Sequence, residues 1–234
     1  MEPLEIVEVK RRFEHGQTGP LLVEASDGES YVVKSRRAGR DSLINEWMAG
    51  HAARELGLRI PPFRLVKARE DQVRFFTFEY REDAAALARM PGFASRYVQS
   101  TSLFSSSSSP HVNPAERAAI LAFDHWVRNG DRTDGNPNLI WSAAEKQLHV
   151  IDHNLAFGPP DESLIESHIF HEDRRIWTSD YCAPLVSRMM SIIPSLKVAW
   201  DNMPMMWTED GDRNLEYYEE VLRRVEESSF WDNP

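Results

Sequence analysis

Residues 129–138 read NGDRTDGNPN, and this polar stretch decides how the chain is assigned to a fold. It holds two aspartates, an arginine, three asparagines, two glycines and a proline, residue types that favour turns. A helix-like run, AERAAILAFDHWVRN (115–129), precedes it, and a short apolar strand, NLIW (138–141), follows it. The sequence therefore predicts a polar loop between a buried helix and a strand.

A second strand returns the chain to this loop. The segment LHVID (148–152) is apolar and ends in Asp152, and SAAEKQ joins it to the strand NLIW. Folded as a hairpin, the two strands would carry Asp152 back to Asp131 and Asn136, which lie five residues apart in the loop. Three oxygen-bearing side chains are expected to converge there.

This set of side chains suits phosphoryl transfer. Mg²⁺ prefers hard oxygen ligands and takes one or two protein carboxylates together with phosphate oxygens and water. In the protein-kinase template, one aspartate orients the acceptor hydroxyl, an asparagine five residues later holds a metal, and a second aspartate on the following strand pair holds the bridging magnesium. Asp131, Asn136 and Asp152 have these residue types in this order. The first two alone are a weak signal, because both types are common in turns.

The N-terminal third strengthens this interpretation. It predicts strands at LEIVEV (4–9), PLLVEA (20–25) and SYVVK (30–34), a helix in SLINEWMAGHAARELG (42–57), and strands at FRLVKA (63–68) and QVRFFTFEY (72–80). Lys34 ends the third strand and Glu46 lies in the helix, where a kinase places the lysine for the α- and β-phosphates and the glutamate that holds it. The turn from Gly16 to Gly19 lies where a phosphate-covering loop is expected.

Together these segments resemble the HipA-like serine/threonine kinases, a toxin-type branch of the protein-kinase-like superfamily that is also similar to the phosphatidylinositol kinases. The resemblance is carried by GQTGPLLVEASDGESYVVK, LINEWMAGHAARELGLRIPP, FDHWVRNGDRTDGNPNLIW and LHVIDHNLAF. It implies an α+β, two-lobed protein-kinase-like fold, with a β-rich N-terminal lobe over residues 1–80 and a mainly helical C-terminal lobe over residues 81–234. It also implies ATP and Mg²⁺ between the lobes, and a short form of the family that lacks the N-terminal subdomain of the founding toxins.

The resemblance also assigns roles to individual residues. Asp131 becomes the catalytic base, and Asn136 and Asp152 become the magnesium ligands. Lys34 would contact the ATP phosphates, with Glu46 as its ion-pair partner. The loop that covers the phosphates would comprise Gly16, Gln17, Thr18 and Gly19, and the hinge that binds adenine through its backbone would comprise Phe78, Glu79 and Tyr80.

Departures from the usual kinase motifs leave other functions open. The triplet NGD at 129–131 stands where HRD is usual, DHN at 152–154 stands where DFG is usual, and no lysine lies two residues after Asp131. Arg132 could replace the charge of that lysine, or it could serve only in packing. The alternative functions are a pseudokinase that binds nucleotide or a partner protein without catalysis, and a lipid or small-molecule kinase that shares the site.

Other polar residues are assigned structural roles. Asp134 is predicted to be a turn residue, and Asn138 is predicted to bridge backbone groups of the loop. His168 and His171 have a spacing that would suit zinc, but the sequence offers no third ligand. The serine run at 105–109 is predicted to be a flexible connector.

The composition limits the kinds of partner that the protein is expected to bind and the cellular compartment in which it is expected. Lys plus Arg number 27 against 37 Asp plus Glu, a formal charge of −10 that disfavours non-specific binding to nucleic acids or membrane surfaces. Cys182 is the only cysteine, which excludes an intrachain disulfide, and neither a signal peptide nor a membrane-spanning run is recognised. A cytoplasmic protein that binds a protein or a small molecule is expected.

The phosphate acceptor is not identified by the sequence. The toxin-type resemblance implies a protein substrate, such as a component of translation, and an antitoxin as a partner. Autophosphorylation has candidate positions at Thr18, Ser95 and Ser105–Ser109.

Overall fold

The computed structural model describes residues 2–13, 19–99, 101–105, 112–143, 145–209, 211 and 213–231. Its strands are β1 (Leu4–Arg12), β2 (Leu21–Ala25), β3 (Ser30–Lys34), β4 (Phe63–Lys67), β5 (Gly92–Arg96), β6 (Thr101–Leu103), β7 (Leu139–Ser142) and β8 (Gln147–Val150). Its α-helices are α1 (Arg40–Leu56), α2 (Arg81–Arg89), α3 (Pro114–Trp126), α4 (Leu164–Ser167), α5 (Ser179–Ile192), α6 (Leu196–Asp201), α7 (Met205–Thr208), α8 (Leu215–Arg223) and α9 (Ser228–Trp231). Short 3₁₀ helices cover Arg36–Ala38, Glu70–Phe75, Phe78–Tyr80, His171–Ile176, Ile193–Ser195 and Arg224–Glu226.

The chain divides into two compact units. The first comprises Met1–Trp47, Pro61–Val98 and Asn202–Gly211, and the second comprises Met48–Ile60, Gln99–Asp201 and Asp212–Pro234. The predicted fold class is confirmed, since the N-terminal part is rich in strands and the C-terminal part is mainly helical. The lobe boundary at residue 80 stays a prediction; residues 81–98 belong to the first compact unit.

The first unit is built on a closed barrel with the strand order β1-β2-β3-β5-β4. Neighbouring strands are antiparallel, except that β1 and β4 pair in parallel. Leu21 and Val23 of β2 and Tyr31 and Val33 of β3 are buried in a common core, as the alternating pattern of these strands requires. Each such aliphatic side chain stabilises the barrel by about 1.5–3 kcal/mol relative to its exposed state.

The prediction of a strand at residues 72–80 is wrong. The chain there forms the 3₁₀ helices Glu70–Phe75 and Phe78–Tyr80, and the side chains of Phe75 and Phe78 are 73% and 88% exposed. Local bonds explain the difference, because Arg69 binds the carboxylate of Asp71 at 2.7 Å and the Arg69 carbonyl accepts two backbone N–H groups at 3.1 Å. The place beside β4 is occupied by β5, a strand that was not expected from the sequence.

A glycine allows β5 to lie close to the end of β3. A Cβ atom added at Gly92 would lie 2.6 Å from the backbone carbonyl oxygen of Lys34 and 2.8 Å from the side chain of Leu87. Both distances are shorter than real Cβ contacts. The backbone at Lys34 is therefore supported directly by the backbone of β5.

The second unit combines helices with a three-stranded sheet in the order β6-β7-β8. α3 begins with a side-chain cap, since Asn113 Oδ1 accepts the Ala115 N–H at 2.9 Å and Pro114 occupies the first turn. The buried residues of its apolar face, among them Ile120 and Leu121, pack in a core with Val150 and other sheet residues. Among the described residues, no helix has both the length and the apolar character needed to cross a membrane.

Candidate active site

The β7–β8 hairpin brings its second strand back to the polar loop of residues 129–138. The two strands are antiparallel, and Leu139 pairs with Val150. The pairing continues one step further, because the backbone N–H of Ile151 donates to the carbonyl of Asn138 at 3.0 Å. Asp152 therefore directly follows a residue that is hydrogen-bonded to the end of the loop.

Asp131 accepts two hydrogen bonds from amide side chains of its own loop. Asn136 Nδ2 donates to Asp131 Oδ2 at 2.9 Å, and Asn138 Nδ2 donates to the same oxygen at 3.1 Å. Asn138 was expected to bridge backbone groups, and its side chain instead binds this carboxylate. No group among the described residues donates to the other oxygen of Asp131, Oδ1, which leaves that oxygen able to accept a proton from a substrate hydroxyl.

A tight turn determines the position of Asn136. The backbone N–H of Thr133 donates to the carbonyl of Asn136, and the N–H of Asn136 donates to the carbonyl of Thr133, both at 3.1 Å. Asp134 and Gly135 complete the turn and are exposed. Because the amide nitrogen of Asn136 is used by Asp131, the amide oxygen is left as a hard donor atom suited to Mg²⁺.

The backbone at Asp152 is left-handed, with φ at +59°, and Asn138 has φ at +48°. Residues with a Cβ rarely adopt this conformation, and Asp and Asn do so most readily. The cost is about 1–3 kcal/mol per residue, and such residues often cluster at functional sites. The hydrogen bond from Ile151 to Asn138 lies directly before Asp152 and constrains the backbone there.

Arg132 serves in packing and cannot replace the missing lysine charge. Its side chain is 0% exposed. Its guanidinium binds the carboxylate of Asp124, with Nε to Oδ2 at 2.5 Å and Nη2 to Oδ1 at 3.2 Å. The remaining nitrogen, Nη1, donates to the carbonyls of Pro137, Asn138 and Ile151 at 3.2, 2.5 and 3.1 Å. Arg132 thus joins the loop to the residue before Asp152.

Asp124 is the centre of this buried cluster, and it was not among the residues expected from the sequence to form the site. It also accepts Asn129 Nδ2 at 2.8 Å and lies 3.0 Å from Nε2 of His168. Burial alone would raise the pKa of Asp124, but the charge of Arg132 and the hydrogen bond from His168 hold that pKa well below its usual value. A signal was present in the sequence, since Asp124 interrupts the apolar run AILAF of α3, and a buried charge requires partners.

The two histidines with zinc-like spacing have other partners. His168 Nδ1 accepts the backbone N–H of Phe170 at 3.0 Å, and its other ring nitrogen faces Asp124. His171 Nδ1 lies 3.0 Å from the carbonyl oxygen of His168. Within the part of the chain that the structure describes, no three His, Cys, Asp or Glu side chains are grouped so as to hold a metal ion.

In the first unit, the structure brings Lys34 and Glu46 together. Lys34 Nζ lies 2.6 Å from Oε1 of Glu46, and the two residues are only 8% and 2% exposed. Lys34 is the last residue of β3 and Glu46 lies in the second turn of α1, so regular elements position both. A lysine ammonium held in this way is a fixed positive charge.

The glycine-bearing turn is described only at its end. Gly16, Gln17 and Thr18, three of the predicted phosphate-loop residues, lie outside the described residues. Gly19 is described and has φ at +52°, and its carbonyl accepts Arg12 Nη1 at 3.0 Å.

A buried carboxylate supports this end of the turn. Arg12 Nη2 binds Asp83 Oδ2 at 2.5 Å, and Asp83 is almost fully buried in α2. Arg37 reaches the other oxygen of Asp83 at 2.9 Å. The side chain of Arg12 thus links the chain after the glycine-bearing turn to α2.

The remaining predicted positions lie on different elements. Phe78, Glu79 and Tyr80 form a 3₁₀ helix that leads into α2, so the hinge stays a prediction without the strand that was expected to precede it. Ser95 is half-buried in β5, between Val32 of β3 and Phe63 of β4. In the serine run, the structure describes Ser105, and residues 106–109 lie outside the described ranges.

A family model described as HipA-like kinase matches residues 6–234. The chain belongs to the HipA-like kinase family. The recognition made from the sequence is therefore confirmed over nearly the whole chain, and so is the general class of enzyme, a kinase. The roles of the individual residues stay predictions.

Two solved structures share the fold of this HipA-like kinase. The crystal structure of a Helicobacter pylori proinflammatory kinase, CtkA, aligns with a TM-score of 0.60 and 13% identity, over 98% of this chain and 96% of that chain. The crystal structure of the Golgi casein kinase aligns with a TM-score of 0.59 and 12% identity, over 99% of this chain and 71% of that chain. A comparison with curated proteins gave no match. At these identities the alignments show a protein-kinase-like fold.

In this HipA-like kinase, the substitution Lys34→Met is expected to destabilise the protein markedly. It removes from Glu46 the ammonium group that lies 2.6 Å away, and removing one partner of a buried ion pair costs about 3–5 kcal/mol. Urea denaturation should show this loss in the free energy of unfolding.

Lys197→Met is the matched control for that measurement. Lys197 pairs with Asp201 at 2.7 Å, but both side chains are more than half exposed, so the loss should stay below about 1 kcal/mol. Equal losses in the two variants would show that the Lys34–Glu46 pair contributes no more than a surface ion pair.

Proposed function

We propose that this HipA-like kinase uses ATP and Mg²⁺ to transfer the γ-phosphoryl group to a serine or threonine hydroxyl of a protein. The observation that carries the proposal is the loop geometry at Asp131, whose carboxylate is oriented by Asn136 and Asn138 while one oxygen stays open. The hydrogen bond from Ile151 to Asn138 returns the hairpin to this loop. It supports the assignment of Asp152 to the same site, as a magnesium ligand.

The donor atoms of the second unit fit a magnesium ion. The amide oxygen of Asn136 and the carboxylate of Asp152 are hard oxygen donors, and Mg²⁺ takes few protein ligands beside phosphate oxygens and water. When bound, the metal supplies positive charge to the phosphate oxygens and to the departing ADP. The residues that would hold it are therefore Asn136 and Asp152.

Asp131 would act as the base at the acceptor hydroxyl. Its open Oδ1 accepts the hydroxyl proton while the acceptor oxygen forms a bond to the γ-phosphorus, and the bond from that phosphorus to the β–γ bridging oxygen breaks. The electron pair of that bond leaves with ADP. The hydrogen bonds from Asn136 and Asn138 keep the carboxylate oriented throughout, so most of the rate gain would come from positioning.

Lys34 would contribute the fixed positive charge for the α- and β-phosphates of ATP, as the lysine of the third strand does in the kinase template. The buried contact with Glu46 holds its ammonium group. The close approach of Gly92 to the backbone carbonyl of Lys34 also helps to hold this lysine in place.

A pseudokinase that binds nucleotide without catalysis is the second candidate, and the burial of Arg132 favours it. Ordinary protein kinases place a lysine two residues after the catalytic aspartate, and this chain has Thr133 there. Because Arg132 donates to Asp124 and to three carbonyls inside the protein, it does not supply that charge. The kinase hypothesis therefore requires the charge of Mg²⁺ and Lys34 to suffice.

Two measurements on the wild-type protein separate these hypotheses. A thermal-shift titration with ATP and Mg²⁺ detects binding, because a ligand that binds the native state stabilises it whether or not turnover occurs. Incubation with ATP and Mg²⁺ followed by intact mass and peptide mapping detects transfer to the chain, and labelling of an added protein detects transfer in trans. We expect both binding and transfer. Binding without any transfer would establish the pseudokinase, and no binding would overturn both hypotheses.

The acceptor is proposed at the level of its chemistry. The toxin-type character of the family favours a protein substrate, with a component of translation as the target and an antitoxin as a partner. A lipid kinase is less favoured, because a chain with a net charge of −10 is repelled by anionic phosphoinositide membranes. Peptide mapping would decide among Thr18, Ser95 and Ser105–Ser109 as autophosphorylation sites.

A further inference from the structure

A buried cluster beneath the polar loop consists of Asp124, Arg132 and His168, all of them at most 2% exposed. Asp124 lies on α3, Arg132 lies in the loop, and His168 comes 44 residues after Asp124. One carboxylate oxygen of Asp124, Oδ2, contacts both Arg132 Nε at 2.5 Å and His168 Nε2 at 3.0 Å. The cluster therefore joins three separate parts of the second unit at a single carboxylate.

Backbone contacts accompany these side-chain bonds. The N–H of Ile169 donates to the carbonyl of Arg132 at 3.0 Å, and Thr133 and His168 form an isolated antiparallel β-bridge. The residues at 168 and 169 therefore run along the loop, between Asp131 and Asn136. The chain that follows Asp152 is therefore joined to the loop at residues 168 and 169.

The ring of His168 has a defined arrangement of donor and acceptor. Nδ1 accepts the N–H of Phe170, so in the neutral ring the proton lies on Nε2 and points to Asp124. Burial lowers the pKa of His168, and the hydrogen bond to Asp124 opposes that change without reversing it. His168 thus donates a hydrogen bond as a neutral group, and Arg132 balances the charge of Asp124.

The orientation of Asp124 determines that of the loop. Asp124 fixes two nitrogens of Arg132, and the third nitrogen holds the carbonyls of Asn138 and Ile151 on either side of the hairpin. A rotation of the Asp124 carboxylate would therefore move Asn138, which orients Asp131, and Ile151, which precedes Asp152. His168 donates to the oxygen that Arg132 Nε also uses.

We propose that His168 is a positioning residue for phosphoryl transfer: its Nε2–H group holds the carboxylate of Asp124, and through Arg132 this holds Asp131 and Asp152 in register. The inference rests on the proposed kinase function. It adds a residue that touches neither nucleotide nor acceptor, and it gives the segment between Asp152 and His168 a fixed end on the catalytic loop.

His168 is the member of the cluster to mutate, because removing Asp124 or Arg132 would leave a buried charge without its partner. His168→Gln can place an amide N–H near the position of Nε2, whereas His168→Asn is too short to do so, and His168→Leu has no donor. The measurements are kcat, the KM for ATP, and amide hydrogen exchange in the peptide that covers residues 129–138.

We expect kcat to fall by about 10- to 100-fold in His168→Leu and His168→Asn, with the KM for ATP changed by less than about threefold. Exchange in the loop peptide should become faster in both. His168→Gln should stay within about threefold of the wild-type kcat, with exchange close to wild type. Should His168→Leu not fold, the comparison of Asn with Gln carries the test.

Three results would overturn the inference. These are an unchanged kcat in the Asn and Leu variants, unchanged exchange in their loop peptide, and equal losses in the Gln and Asn variants. A wild-type protein that transfers no phosphate would refute the proposed function instead. The exchange measurement would then decide by itself whether His168 holds the loop, since it requires no activity.

Discussion

Asp131→Asn is expected to abolish detectable phosphoryl transfer while the protein stays folded. The side chain keeps its shape. In the wild type, Asn136 and Asn138 donate hydrogen bonds to Asp131 Oδ2 at 2.9 and 3.1 Å, and the amide oxygen of the variant can still accept both. An amide cannot take the hydroxyl proton, however, so the contribution of a general base, roughly 10²- to 10⁴-fold, is lost. The rate of phosphate transfer from labelled ATP measures the effect.

Asp134→Asn is the matched control for this experiment. Asp134 lies in the same loop, three residues away, and is exposed in the turn, so its rate should stay within about threefold of wild type. A thermal-shift titration with ATP and Mg²⁺ should give wild-type binding in both variants, because neither change removes a proposed metal ligand. Transfer by Asp131→Asn at the rate of the control would show that Asp131 is not the base.

Asp152→Asn is expected to abolish the magnesium dependence of nucleotide binding and, with it, the transfer reaction. The variant loses the carboxylate charge that we assign to the metal, which would leave Mg²⁺ with the neutral amide oxygens of residues 136 and 152 as its only protein ligands. Asparagine is the appropriate replacement, because it tolerates the φ of +59° at this position. Alanine would add backbone strain, and a loss of activity in that variant could then result from a disturbed fold instead of from the missing metal ligand.

The measurement compares the melting temperature with ATP in the presence of Mg²⁺ or of EDTA. In the wild type, saturation to 100 times Kd should stabilise the protein by about 2.7 kcal/mol, with a much smaller effect in EDTA. In Asp152→Asn the two conditions should give similar shifts. A full magnesium-dependent shift in this variant would remove Asp152 from the metal site, and it would do so without reference to catalytic activity.

The parts of the fold that the sequence predicted well are those determined by local patterns. The strands β2 and β3, the helix that carries Glu46 and the β7–β8 hairpin that ends before Asp152 all follow from apolar periodicity and turn residues. The contact between Lys34 and Glu46 was expected from the kinase template and the family resemblance, and their side chains lie 2.6 Å apart.

The parts that were missed depend on partners distant in the sequence. β5 is short and begins with Gly92, and it forms a strand because β3 and β4 both pair with it. The bond between Asp124 and His168 joins residues 44 positions apart, and no periodicity indicates it. Arg132 was open to two interpretations, because a sequence shows that a residue is charged but not whether that charge faces solvent.

The guanidinium of Arg132 closes the base of the β7–β8 hairpin by holding backbone carbonyls from both of its sides, at Asn138 and Ile151. The spacing of the proposed catalytic groups is therefore established at the near end of the hairpin, independently of its tip. Relatives should consequently tolerate insertions and deletions between Ser142 and Gln147, while the register at the base stays invariant. Loop-length variation at the tip would then be a neutral trait of the lineage, with no bearing on turnover.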